Sequence, residues 1–155
     1  MLTRLEFDAS TAARERILFS AAELFYQQGI RATGVDKVIA DAGVTKVTFY
    51  RHFPAKNTLI LAFLQLRHQR WMSAFRASLA RHNNVIDALP ATLLSWFNDE
   101  DYRGCAFINT AAELGNSLPE ASALIREHKQ QMAEAIAEKL APEQQMKTAQ
   151  IVLLA

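Results

Sequence analysis

Apolar residues recur three and four positions apart along most of this chain and nowhere alternate with polar ones over a strand's length, so the pattern predicts helices throughout. From about Thr11 to Gln28, the positions Ile17, Ala21, Leu24, Phe25 and Gln28 fall on one stripe, and Gly29 stops this first helix. Thr33 stands three residues ahead of Asp36 in the pattern of a capping box, marking a second, short helix with Val35, Val38 and Ile39 on one side. Ala42 and Gly43 end it, because glycine accepts the positive φ of a tight turn. Thr45 can then cap a third helix running from Lys46 to His52, and Pro54 closes it by pushing the preceding residue out of helical backbone.

A long fourth helix begins near Ala55, using Leu59, Ile60, Phe63, Leu64 and Leu66, and continues through RHQRWMSAFRASLARH. Asn83 and Asn84 interrupt it ahead of VIDALPATLLSWF, where Pro90 fits either a kink or a true first turn. Past the loop NDEDYRG, Gly115 and Asn116 mark a helix end, and Pro119 with Glu120 marks the next start. The stretch from Pro142 to Ala155 begins a helix that stops in the apolar run IVLLA. An apolar face at that point needs a partner, so the sequence is expected to be a fragment of a longer polypeptide.

Two short helices joined by a turn of a few residues must cross steeply, and the pair from Thr33 to His52 therefore reads as a helix-turn-helix. On its second helix, Phe49 and Phe53 lie four apart and can bury. The remaining face carries Lys46, Val47, Thr48, Tyr50, Arg51 and His52, able to neutralise phosphate, donate hydrogen bonds and touch a thymine methyl. Between Arg31 and Lys56, five basic residues (Arg31, Lys37, Lys46, Arg51, Lys56) stand against Asp36 and Asp41, although the whole chain carries only +1. The positive charge is local, as a nucleic-acid footprint requires.

From about Arg14 to Phe63 the chain resembles the N-terminal domain of the TetR (tetracycline-repressor) family of one-component transcriptional regulators. The matching elements are ILFSAAELFYQQG, GIRATGVDKVIADAGVTK and TFYRHFPAKNTLI. The resemblance implies an all-α protein: an N-terminal three-helix helix-turn-helix DNA-binding domain, residues 1–55, joined by a long helix to a C-terminal helical ligand-binding and dimerisation domain, residues 56–155. It also implies roles. Thr33 would meet phosphate at the start of the second helix and Thr45 would open the recognition helix. Lys46, Val47 and Thr48 would reach base edges, Tyr50 and His52 would grip the backbone beside Arg51, and Lys56 would add a phosphate contact at the start of the fourth helix. Relatives often carry glycine where Val47 stands, so no operator sequence can be carried over.

Half of the 155 residues are hydrophobic, enough for a sizeable core, and a single cysteine excludes an intramolecular disulfide. The opening MLTRLEFDAS has no signal-peptide core and no eighteen apolar residues run together, so the expectation is a cytoplasmic protein without membrane partners. A Gly-rich phosphate loop, an HExxH pair, paired metal-binding cysteines and a Gly-x-Ser-x-Gly elbow are all missing from the sequence. No metal, no cofactor and no enzymatic activity are expected.

In the second half, Trp71, Met72, Phe75, Trp96, Phe97 and Phe107 are large and apolar, with Asn109, Glu113 and His128 as polar groups. On periodicity alone each fills a core as well as it lines a pocket, and only the resemblance favours the pocket. Cys105, after Arg103 and Gly104 at a helix start, is either a buried structural thiol or a reactive one. The expected protein is thus a homodimeric repressor on a double-stranded DNA operator, released by a small-molecule inducer or a reactive electrophile. The alternative is a helical interaction module of the same fold that does not bind DNA.

Overall fold

The structure is a computed structural model and describes residues 5–140. Among them lie seven helices and no strand: α1 (Ala13–Gln28), α2 (Val35–Asp41), α3 (Lys46–His52), α4 (Lys56–Ala80), α5 (Val85–Phe97), α6 (Ala106–Leu114) and α7 (Pro119–Ala137). The helix expected from Pro142 to Ala155 falls outside the described residues. None of the described helices is long and apolar enough to cross a membrane.

By packing, the chain forms two units. Among the described residues, one comprises residues 5–67 together with Arg103–Ser122; the other is built from His68–Tyr102 and residues 123–140. Sequence reading placed one boundary between residues 55 and 56. In the packing described, α6 belongs to the same unit as α1, α2 and α3, and its flanking backbone is bonded to α1.

In the first of these units α1 packs on both α2 and α3, and α2 packs on α3. Ile17, Ala21, Phe25, Val38, Phe49, Phe53 and Phe63 are fully or almost fully buried there. Gln28, expected on the buried stripe of α1, is instead exposed and accepts from the Lys37 ammonium, as an amide at the last turn of a surface helix can. A polar lock that periodicity could not announce joins α1 to α2: the buried Ser20 hydroxyl donates to Asp41 Oδ2 at 2.6 Å. Before α1, Asp8 accepts from the Ser10 hydroxyl at 2.6 Å and from the Ser10 N–H at 2.8 Å, bonds that hold its carboxyl below the usual range. This turn takes the place of a side-chain cap, since Ala12 offers none.

The second unit is held by Trp71, Met72, Phe75 and Leu79 of α4 against Ala88 of α5 and Ala135 and Ile136 of α7. Asn84 caps α5 by accepting from the Asp87 N–H at 3.0 Å. The helix therefore starts at Val85, which places Pro90 inside it rather than in its first turn. His68 and His128 meet with Nδ1 atoms 3.0 Å apart, so one ring donates and the other accepts.

Candidate nucleic-acid interface

α3 is defined by short-range chemistry. The Thr45 side chain accepts from the Thr48 N–H at 3.2 Å, its hydroxyl lies 2.9 Å from that of Thr48, and Phe53 followed by Pro54 ends the helix. Replacing Thr45 with alanine removes this cap and should cost about 1 kcal/mol. Thermal melting reads it, and an unchanged midpoint would show that the cap contributes nothing. The seven residues sort cleanly by exposure: Phe49 is fully buried, whereas Val47 is 70% and Tyr50 41% exposed, with Lys46 and Arg51 also exposed. Thr48 and His52 are half-buried at the margins of this face. The outward surface is thus two cations, one phenol and one branched apolar knob, mounted on a helix anchored from behind by Phe49. Gly43, at φ +60°, makes the turn into it.

Lys46 lies 3.7 Å from Asp36 of α2, and both side chains are largely in solvent. Such a pair contributes little and leaves the ammonium free to exchange partners.

Thr33 and Lys56, the other two residues expected to meet phosphate, have partners within the protein. Thr33 is fully buried; its hydroxyl donates to the Gly29 carbonyl at 2.8 Å, closing the end of α1. Gly34 takes the N-cap position of α2 and no side-chain cap is made, so the capping box with Asp36 does not form. The local sequence pattern loses here to burial, which leaves the hydroxyl no partner but nearby carbonyls. Lys56 is half-buried: its ammonium donates to the Ile30 carbonyl and lies 5.9 Å from the centre of the Phe25 ring. Loss of water around it lowers its pKa, and the carboxylate of Glu113 partly restores it.

The residues expected to form one ligand pocket are divided between the two units. Trp71, Phe75, Trp96, Phe97 and His128 belong to one; Cys105, Phe107, Asn109 and Glu113 belong to the other. Trp71 stacks on Phe75 at 5.8 Å and meets Trp96 at 4.4 Å, while Phe97 is half exposed. Trp71 Nε1 is buried with no hydrogen-bond partner among the described residues. Phe107 is core, and Cys105 is half-buried at the N-cap of α6. Asn109 and Glu113 instead line a cleft of about 380 Å³ with Phe25, Tyr26, Ile30 and Phe63. Sequence reasoning missed Tyr26, Ile30 and Arg31, whose roles rest on partners far along the chain.

The comparisons agree with this geometry. Residues 17–63, which contain most of α1, all of α2 and α3 and the start of α4, match the bacterial regulatory proteins of the tetR family. Over this segment the chain is similar to the TetR family. It is 32% identical over 97 residues to the HTH-type transcriptional activator FasR of Mycolicibacterium smegmatis, a match spanning 61% of this chain and 44% of that protein. With the transcriptional regulator UidR of Escherichia coli K12, it shares 22% identity over 145 residues, covering 94% of this chain and 72% of the relative. Among solved structures, the TetR-family regulator SCO4454 from Streptomyces coelicolor superimposes with a TM-score of 0.80 at 29% identity, covering 90% of this chain and 71% of that one. Each of these relatives is named as a transcriptional regulator or activator. The all-helical architecture with an N-terminal helix-turn-helix is the one the family resemblance implies.

Proposed function

We propose that this chain is a TetR-family regulator that binds DNA sequence-specifically, acting as a homodimer whose two α3 helices enter successive major grooves about 34 Å apart. The observation that carries the reading is the exposed face of α3, where Lys46, Val47, Tyr50 and Arg51 project from a helix fixed by the fully buried Phe49. Lys46 and Arg51 neutralise phosphate, Tyr50 donates to the backbone, and Val47, joined by Thr48, meets base edges and thymine methyl groups. His52 flanks the contact. The proposed output is repression, relieved when a small molecule favours a conformation in which the reading heads no longer match the operator.

The test is a salt-dependent titration against a genomic fragment library, with Tyr50→Ala and Val47→Ala alongside. Selective capture is expected from the wild type, weaker binding to every sequence from Tyr50→Ala, and altered sequence preference from Val47→Ala. A folded wild-type protein that captures no fragment selectively would favour the interaction-module reading instead. A reporter downstream of the captured site separates repression from activation, the latter being what the name of FasR describes for that protein.

A further inference from the structure

In the second unit α4 and α7 run side by side in the same direction, and three contacts fix their register. His68 meets His128, the Arg76 guanidinium meets the Glu138 carboxylate just past α7 at 2.9 Å, and the Lys139 ammonium donates to the His82 carbonyl at 2.9 Å. The offset at the first of these contacts is 60 residues. Methionines stand at the same offset one turn further on, Met72 after His68 and Met132 after His128. Residues four apart share a helix face, so each helix carries a histidine followed by a thioether, and the two sets are in register. His128 and Met72 are buried, and Met132 is half-buried against the apolar cluster that contains Met72 and Trp71.

We infer that His68, Met72, His128 and Met132 form a binding site for a soft monovalent cation, Cu(I). Imidazole nitrogens about 2.0–2.1 Å from a metal stand roughly 2.9–3.4 Å apart at coordination angles of about 90–110°. The two Nδ1 atoms already lie 3.0 Å apart. A cation seated between them displaces the proton they share, which passes to Nε2 of the donating ring, so both rings bind as neutral imidazoles. Among the described residues no third His, Cys, Asp or Glu completes a metal site with them. A divalent ion would therefore bring its double charge against an apolar cluster without an anionic ligand, which is a costly burial. One turn on, thioethers are the donors that the fold supplies, and sulfur of that kind selects Cu(I) over harder ions. A single charge also costs less to bury. No search for paired cysteines or HExxH finds such a set, because it forms only when two distant helices are laid in register.

The test titrates the untagged full chain, carrying Cys105→Ser so that the thiol takes no metal, with Ag(I) in chloride-free buffer and with Cu(I) against a chromophoric chelator. One equivalent of either ion is expected to bind, and the melting midpoint should rise by about 5 °C at free Ag(I) a hundred times Kd. Met72→Leu and Met132→Leu conserve volume and remove only the sulfur, so the fold should persist while Cu(I) affinity falls about tenfold or more. His128→Gln should abolish binding, and Zn(II) should bind wild type at least about a hundredfold more weakly than Cu(I). Cu(I) affinity within about twofold of wild type in both leucine variants would overturn the inference, since the thioethers would then not be ligands. So would Zn(II) binding as tight as that of Cu(I), or a wild type that retains neither monovalent ion. None of these outcomes depends on whether the chain binds DNA.

Discussion

Phe49→Ala should destabilise the protein by about 3–5 kcal/mol, the usual cost of truncating a fully buried phenylalanine to alanine. The ring is completely shielded, lies edge-on to Tyr50 at 5.2 Å and 6.3 Å from Phe53, and is the buried anchor of a helix only seven residues long. A helix that short has almost no stability of its own; its persistence depends on packing. Loss of Phe49 therefore removes both core volume and the support of the reading face. Thermal unfolding should show a midpoint lower by roughly 10 °C or more. Val47→Ala, at a site 70% exposed, should move stability by no more than about 0.5 kcal/mol. Equal midpoints for the two variants would mean that α3 is not anchored by Phe49.

The elements read correctly from sequence are those specified by neighbours in the chain. Thr45 and Pro54 bracket α3, Asn84 starts α5, Gly115 ends α6 and Pro119 opens α7, each through chemistry that acts within a turn or two. Thr33 shows where such signals stop. A threonine three residues before an aspartate is a valid capping pattern, yet the hydroxyl bonds back to α1 because the fold encloses it. Periodicity marked Trp71, Phe75 and Phe107 as inward-facing, and all three are buried. It carried no information on which of two packed units each would enter, and so the expected pocket divides. Glu113 was legible as a polar group in an apolar helix, but its partner lies 82 residues away, beyond the reach of any local rule. The candidate interface was legible because exposure on one short helix follows from the burial of Phe49 and Phe53. Thr33 and Lys56, also expected to meet phosphate, are the residues whose side chains turn toward α1 and the turn that follows it.

That division predicts opposite behaviour for lysines that sequence reading treats alike. Lys46 and Arg51 are exposed on α3, and Lys46 is held only by a solvent-exposed pair with Asp36. Replacing both with alanine should lower the slope of log affinity against log salt by about two units, one for each phosphate no longer neutralised, and weaken binding to all sequences alike. Stability should barely change, since exposed ion pairs contribute about 0–1 kcal/mol. Lys56 is different. Its ammonium is partly stripped of water and bonded to the Ile30 carbonyl, so bringing it to a phosphate would mean breaking that bond. Lys56→Ala should therefore leave the salt slope unchanged within about 0.3 units and cost about 1 kcal/mol of stability. A slope reduced by a full unit in Lys56→Ala, at unchanged thermal stability, would return Lys56 to the phosphate-gripping role and show that its bond to Ile30 opens when DNA is bound.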